Sequence, residues 1–180
     1  MEHIKLQEKY GKEKGIKIGK IYGSISGTME FILLIGLWIS PQPTFVIPLF
    51  ANRTISIMNF SIPIIHLMIF LPLTAVGAWF GIAGVRATGM EAAETHSRPE
   101  KILTTGVYSI VRHPQYFGWI LAHIGISVLL SVQYSMLFTP VLVALIYLIS
   151  KKEEEELIKE FGEEYKIYQK DVPMLIPRWK

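Results

Sequence analysis

The chain has 180 residues, of which 51% are hydrophobic and only 18% are charged, and its mean hydropathy is +0.36. A soluble domain carries about 25% charged residues, so this composition indicates one small integral membrane domain. The absence of cysteine excludes disulfides, thiolate metal sites and a cysteine nucleophile. We therefore expect a single membrane-embedded domain over residues 1–180.

Four apolar segments predict about four transmembrane helices, and the predicted fold class is an all-α integral membrane protein. The segments lie near residues 21–39, 60–85, 114–132 and 135–149. A helix needs roughly 20 apolar residues to cross the hydrocarbon core, so the last segment is short for a full span. The turn between the last two segments is brief, which predicts an antiparallel helical hairpin.

The polar segments between and after these helices differ in character. Prolines predict a loop over residues 40–59, and residues 86–113 form a long polar connector. Residues 151–170 predict a charged amphipathic helix, which Gly162 breaks or bends. Residues 172–177 predict an extended apolar tail docked on the body of the protein.

The distribution of charge predicts the orientation in the membrane. Seventeen of the 18 Lys and Arg residues fall in a basic head over residues 1–20, in the connector or after residue 150, and Arg53 is the exception. Cytoplasmic segments of membrane proteins carry the excess of Lys and Arg, so we expect a multi-pass protein with cytoplasmic N- and C-termini. The basic residues thus belong to the membrane face, and no nucleic-acid-binding module is visible in the sequence.

Polar and aromatic residues at the start of the third apolar segment form the first candidate site. Arg112 and His113 precede Pro114, which suits the first turn of a helix, and the free N–H groups of such a turn suit an anion. Gly118, one turn further, leaves room for a ligand or for another backbone. The alternative explanation is an interfacial anchor combined with a helix-start signal.

Glutamates form the second candidate site, over residues 153–156. The four-span topology places them on the same face as His113, where a carboxylate can hold a cation or ribose hydroxyls; a solvated acidic turn is the alternative. Three ionisable residues, Glu30, His66 and His123, lie inside apolar segments, where charge is costly. We interpret the histidines as structural, whereas function is equally plausible for Glu30, and the spacing gives no signal for a metal site.

The motifs together resemble one known family. Residues 103–108 (LTTGVY) and the Arg-His-Pro-x-Tyr-x-Gly sequence over residues 112–118 resemble the signature of the isoprenylcysteine carboxyl methyltransferase and phospholipid methyltransferase superfamily. The glutamate pair and the Val-Pro sequence of the tail resemble the same family, so the motif-bearing core covers about residues 100–177. The resemblance implies an integral membrane enzyme that uses S-adenosyl-L-methionine and takes a lipophilic or prenylated substrate from the bilayer.

The resemblance also implies roles for individual residues. The implied catalytic residues are Arg112 and His113. The implied cofactor-binding residues are Leu103, Tyr108, His113, Pro114, Gln115, Tyr116, Glu153 and Glu154, and no metal is implied. The first acceptor it suggests is an isoprenylcysteine-like carboxylate, methylated on oxygen, and the second is a phospholipid amine.

One position departs from the family pattern. Members that methylate prenylcysteine carry an arginine one turn before the first glutamate, thought to meet the substrate carboxylate, and this chain has Ile149 there. The departure weakens the carboxylate acceptor more than the methyl-transfer class. Two hypotheses from other classes are a membrane sterol-type reductase that uses NADPH, which shares the Arg-His-Pro-x-Tyr-x-Gly motif, and a non-enzymatic membrane-binding module.

Overall fold

A computed structural model of the chain describes residues 9–49, 53–57, 60–89 and 101–178. This part of the chain is mostly helical, as predicted. The elements in chain order are α1 (Lys12–Ile39), β1 (Thr54–Ile57), β2 (Phe60–Pro63), α2 (Ile64–Thr88), a 3₁₀ helix (Gly106–Ser109), α3 (Pro114–Leu129), α4 (Gln133–Phe161) and α5 (Glu163–Asp171). Residues 1–8 of the basic head and residues 90–100 of the predicted connector lie outside the described residues.

Three helices in the described part of the chain are long and apolar enough to cross a membrane. The candidate spans are Glu13–Ile39, Ile64–Thr88 and Gln133–Phe161. Helix α3 has 16 residues. At ~1.5 Å per residue it reaches about 24 Å, which is less than the roughly 30 Å hydrocarbon core. The structure therefore supports three of the four predicted spans by length and composition.

The predicted boundaries around the second span are wrong. The loop predicted over residues 40–59 contains strand β1, and the span predicted from residue 60 begins as strand β2. The two strands pair antiparallel, with Thr54 opposite Pro63. Helix α2 starts at Ile64, directly after Pro63. Pro63 is the N-cap residue, with a ψ of +134° that is outside the helical range, so the helix begins after it.

The C-terminal helices also differ from the prediction. Helix α4 runs unbroken from Gln133 to Phe161. The predicted short span and the first part of the predicted charged helix therefore form one continuous helix. Gly162 then breaks the helix, as predicted, with φ of +56°, a conformation that glycine adopts at little steric cost. Helix α5 follows with nine residues. A separate amphipathic helix over residues 151–170 is therefore not confirmed.

Helices α2 and α3 pack closely because glycines remove side chains from their interface. A Cβ atom at Gly77 would lie 2.7 Å from the carbonyl oxygen of Gly118, and one at Gly84 would lie 2.7 Å from Cγ of Gln115. These pairs run in opposite directions along the two helices, so the helices are antiparallel. Of the two roles predicted for Gly118, close approach of another backbone is the one observed.

Helices α3 and α4 form the predicted antiparallel hairpin. Near the turn, Ser127 Oγ lies 2.7 Å from Ser135 Oγ, and further away Ile120 packs in one buried cluster with Ile146. Leu175 completes this cluster, which confirms that the apolar tail docks on the body. The start of α3 and the charged end of α4 therefore lie at the same end of the bundle.

The two histidines inside the bundle make structural contacts near its opposite end. His66 is fully buried; its Nε2 accepts a hydrogen bond from the Ile47 N–H at 3.1 Å, and its Nδ1 lies 2.9 Å from Ser131 Oγ. His123 Nε2 lies 3.2 Å from the carbonyl oxygen of Ser135. Both rings thus link separate parts of the chain, in agreement with their structural interpretation.

Helix α1 packs more loosely than the other long helices. The ring of Phe31 meets that of Trp119 with centroids 6.1 Å apart, and Trp38 stacks on His123 at 5.9 Å. Leu34 is buried, but most large apolar side chains of the helix are exposed. An outward apolar surface of this kind suits a helix that faces lipid.

Replacing Gly118 with leucine should destabilise the fold, because the new side chain would push α2 and α3 apart. A Cβ atom at Gly118 would lie 2.9 Å from the backbone nitrogen of Gly81. Overpacking costs about 1–3 kcal/mol, and a chain of this size loses roughly 2–4 °C per kcal/mol. We expect the Tm of the protein in mild detergent to fall by several degrees.

The matched control is Gly27→Leu on α1, where an added Cβ would have no atom within 4 Å. Leucine is a better helix former than glycine, so this variant should keep or raise the Tm. An equal fall in Tm for both variants would contradict the close packing of α2 on α3.

Candidate functional site

Four segments that are distant in sequence meet at one end of the bundle. The end of α2 approaches the start of α3, where Gln115 Nε2 donates a hydrogen bond to Thr88 Oγ1 at 3.3 Å. The charged half of α4 and the C-terminal tail close the other sides. Most of the predicted site residues lie in this region.

A buried ion pair forms the centre of the region. Nε and Nη2 of Arg112 donate to the two carboxylate oxygens of Glu154 at 2.6 and 3.0 Å. The side chains are 8% and 5% exposed, respectively. Nη1 of Arg112 donates to the backbone carbonyls of Gln169, at 2.9 Å, and Val172. Gln169 Nε2 also donates to Glu154 at 2.8 Å. This fork of donors is specific to arginine, because lysine offers a single charged nitrogen.

The backbone of the tail pairs with the segment before α3. The N–H groups of residues 112 and 113 donate to the carbonyls of residues 173 and 174, at 2.9 and 3.1 Å. The Tyr168 hydroxyl donates to the Tyr108 carbonyl at 2.5 Å. Burial raises the pKa of Tyr168, so the phenol keeps the proton that it donates. The tail and α5 therefore pack against the segment before α3 and cover one side of the candidate site.

His113 lies between the two glutamates of α4. Its Nε2 is 3.2 Å from Glu154 Oε1, and its Nδ1 is 3.5 Å from Glu153 Oε2. The ring of His113 stacks on Tyr116 with centroids 5.7 Å apart, and the Tyr116 hydroxyl donates to Glu153 Oε1 at 2.5 Å. The side chain of Glu153 is 35% exposed and that of Glu154 is 5% exposed. Glu153 is thus the more accessible carboxylate of the pair.

A second polar group lies at the end of α2. The Tyr108 phenol interacts with Gln115 and Thr88, and burial raises the pKa of Tyr108 more than these contacts lower it. Pro114 is buried and begins α3, as predicted, and no side chain of the preceding residue caps the first turn. Leu103 is half-buried in the extended segment before the 3₁₀ helix.

The structure brings together five of the residues that the sequence singled out, which are Arg112, His113, Tyr116, Glu153 and Glu154. Sequence reasoning missed Gln169 and Thr88. Gln169 lies one helical turn after the buried Tyr165, and a polar residue on a buried helix face indicates a partner. Thr88 carries no comparable signal, since it is the last residue of a long apolar helix.

Replacing Arg112 with methionine should strongly destabilise the protein, because Glu154 would keep its charge without its main partner. Loss of one member of a buried ion pair costs about 3–5 kcal/mol, or roughly 6–20 °C in Tm for a chain of this size. Thermal unfolding in detergent measures the effect. The double variant Arg112→Met with Glu154→Leu should recover part of the loss, since it removes both charges.

Lys166→Met is the control, because Lys166 pairs with Glu163 at 2.7 Å where both side chains are exposed. Exposed pairs add little to stability, so the Tm should barely change. If Arg112→Met lowered the Tm no more than Lys166→Met, the central role of the buried pair would be refuted.

The segment that carries these motifs is similar to a known protein family. Residues 92–159 match the model of the isoprenylcysteine carboxyl methyltransferase (ICMT) family. The matched segment contains the Arg-His-Pro motif and both glutamates of the candidate site.

Two groups of curated methyltransferases are similar to this chain. Methanethiol S-methyltransferase of Crocosphaera subtropica is 31% identical over 128 residues, which cover 71% of this chain and 49% of that protein. Methanethiol S-methyltransferase 2 of Bradyrhizobium diazoefficiens is 33% identical over 99 residues, covering 55% and 38%. Human protein-S-isoprenylcysteine O-methyltransferase is 38% identical over 94 residues, covering 48% and 30%.

The chain therefore spans half or less of the length of these relatives. The similarity nevertheless includes the segment that forms the candidate site. It confirms the resemblance seen in the motifs, since residues 92–159 are similar to the isoprenylcysteine carboxyl methyltransferase family.

Proposed function

We propose that this protein is a membrane methyltransferase that uses S-adenosyl-L-methionine and methylates a lipophilic acceptor. The observation that supports this best is the meeting of His113 and Tyr116 with Glu153 at one end of an apolar helix bundle. Carboxylates and aromatic faces suit a cationic methyl donor, and apolar helices suit a lipophilic acceptor. The match to the family model and the methyltransferase names of the relatives support the same function.

The residues around Glu153 fit the proposed cofactor. Glu153 has an accessible carboxylate that would hold a polar or cationic part of it. The stacked rings of His113 and Tyr116 offer aromatic faces, which attract cations. The uncapped first turn of α3 offers N–H groups for the cofactor carboxylate. The other proposed cofactor-binding residues are Leu103, Tyr108, Pro114 and Gln115.

Arg112 and Glu154 have a different role in this proposal from the residues that bind the cofactor. Their charged groups point at each other and at the tail, which leaves them poorly placed to touch a substrate. We propose that both are positioning residues, since Arg112 holds Glu154 and Glu154 orients the ring of His113. His113 and Pro114 then remain the members of the Arg-His-Pro motif that contact the cofactor.

The chemistry proposed for this site needs alignment more than reactive side chains. When bound, S-adenosyl-L-methionine supplies a methyl group already activated by its positively charged sulfur. The residues of the chain would hold the donor and acceptor in line and exclude water, which contributes about 7–11 kcal/mol in well-oriented systems. The contacts of His113 with both glutamates fix its ring before any substrate binds, so little reorganisation is needed.

The acceptor is the least constrained part of the proposal. The human relative is named for an isoprenylcysteine substrate, and an isoprenylcysteine-like carboxylate is the first acceptor that the motifs suggest. The bacterial relatives are named for methanethiol, which is a thiol. Ile149, at the position of the expected arginine, is uncharged and 43% exposed. It therefore favours an acceptor without a negative charge.

We further propose that the chain is one membrane-embedded domain with its candidate site and both termini on the cytoplasmic side. Three apolar helices and the family support an integral membrane protein. The start of α3 and the charged end of α4 share one end of the bundle. In a four-span topology, 17 of the 18 Lys and Arg residues lie on that side, as the positive-inside rule requires.

Purified protein in detergent should be stabilised by S-adenosylhomocysteine and not by NADPH. A ligand that binds only the folded state adds about 2.7 kcal/mol at a concentration 100 times its Kd, which corresponds to roughly 5–10 °C in Tm for this size. Stabilisation by NADPH instead would contradict the proposal in favour of a reductase. No stabilisation by either ligand would favour a binding module.

The same ligand, titrated by calorimetry into two variants, tests the proposed residues. His113→Ala and Glu153→Gln should each weaken binding of S-adenosylhomocysteine by about tenfold or more, since a hydrogen bond to a charged group contributes about 1.5–3 kcal/mol. Glu164→Gln, on the exposed surface of α5, is the matched control and should bind normally. Unchanged affinity in both site variants would refute their assignment.

Single cysteines test the proposed orientation, because the chain has none of its own. Arg53→Cys should react with a membrane-impermeant maleimide from outside intact cells. Lys14→Cys and Lys166→Cys should react only after the cells are permeabilised. All three side chains are exposed, so protection from the reagent reports the membrane and not burial in the protein. The opposite labelling pattern would reverse the topology.

A further inference from the structure

Helix α1 carries a charged residue where membrane helices rarely do. Glu30 lies inside the apolar span Glu13–Ile39. Its carboxylate forms no hydrogen bond or ion pair with the described residues of the chain. An unpaired charge is costly at such a place, and residues of this kind usually serve binding or catalysis.

The face of α1 that carries Glu30 is turned toward the candidate site. Leu34, one turn later on the same face, is buried with 4% exposure. Phe31 packs against Trp119, which lies on α3 one turn after Tyr116. Glu30 is exposed although it shares the face of Leu34, so the packing of α1 on the bundle leaves its carboxylate uncovered. Glu30 is near enough to Tyr116 to make a small electrostatic contribution at that hydroxyl, after the larger effects of burial and Glu153.

The residues of α3 and α4 on the side of Glu30 are unsuited to an anion. Tyr116 bonds to Glu153, so a second carboxylate lies beyond it. Ile149 is one helical turn before Glu153 on α4 and adds an apolar side chain on that side. A carboxylate that entered between α1 and α3 would therefore meet Glu30, which pairs with no arginine in the part of the chain that the structure describes. A neutral acceptor that carries a proton would instead meet a base.

We propose that Glu30 is a catalytic residue that selects a thiol acceptor and takes its proton, an inference that rests on the methyltransferase function proposed above. The acceptor sulfur forms a bond to the methyl carbon. The bond between that carbon and the donor's sulfonium breaks, with its electron pair moving to the donor sulfur. The thiol proton passes to the Glu30 carboxylate. The cysteine thiol has an ordinary pKa of about 8.5, and a simple alkanethiol is a weaker acid. At neutral pH such an acceptor is therefore mostly protonated and benefits from a base.

The test compares 1-decanethiol with the carboxylate N-acetyl-S-farnesylcysteine as acceptors for the full chain. We expect transfer of a labelled methyl group to the thiol and little or none to the carboxylate. Glu30→Gln should lower kcat for the thiol at neutral pH by about 10²–10⁴-fold, the usual contribution of a general base. Part of the rate should return as the pH rises, because the thiol then ionises without help. Glu13→Gln, an exposed residue of the same helix, should keep the wild-type kcat.

A binding measurement provides a readout without methyl transfer. With S-adenosylhomocysteine bound, decanethiol should raise the Tm of the wild type further, whereas the carboxylate should not. Glu30→Gln should reduce this discrimination, since it removes the like charge. Stabilisation by S-adenosylhomocysteine alone should be the same in both proteins, which shows that the fold and the cofactor site are intact.

Two results would overturn the inference in distinguishable ways. If the wild type binds S-adenosylhomocysteine but prefers the carboxylate, or if Glu30→Gln keeps its kcat for the thiol, the role of Glu30 is refuted and the methyltransferase function stands. If the wild type fails to bind S-adenosylhomocysteine, the proposed function itself fails, and the inference fails with it.

Discussion

The buried pair of Arg112 and Glu154 is the constraint on which the candidate site depends. It joins the segment before α3 to the charged half of α4 across 42 residues of sequence, and Gln169 and Val172 add α5 and the tail to the same network. Desolvation opposes the attraction in a buried ion pair, so its main effect is geometric rather than a large net stabilisation. The bidentate contact fixes the position of Glu154, and Glu154 in turn fixes the ring of His113.

The bundle combines a tightly packed part with a loosely attached helix. Helices α2, α3 and α4 meet through glycines and a buried apolar cluster, so the residues that they carry have little freedom to shift. Helix α1 rests on fewer contacts and leaves most of its apolar surface outward. This division suits a site that must hold one reactant rigidly and admit another from the side. Only α1, the loosely packed helix, has to move to let the second reactant in.

The fold was predictable where the signals are local, as for the start of α3 at Pro114 and the break at Gly162. It was not predictable at residues 60–63, because a short apolar run fits a strand as well as a helix. The change to charged residues at 151 did not end α4, because Lys and Glu are good helix formers. In the candidate site, the motifs identified which side chains meet. The hydrogen bonds from Arg112 to the carbonyls of Gln169 and Val172 depend on tertiary contacts, and the spacing of residues in the sequence does not reveal such contacts.

The docked tail sets the order in which the candidate site can be completed. Arg112 and its neighbour donate hydrogen bonds to residues 172–174, about 60 positions later in the chain. During synthesis these donors emerge long before their acceptors and stay solvated until the last segment arrives. Insertion of the apolar helices into a membrane can therefore precede closure of the site.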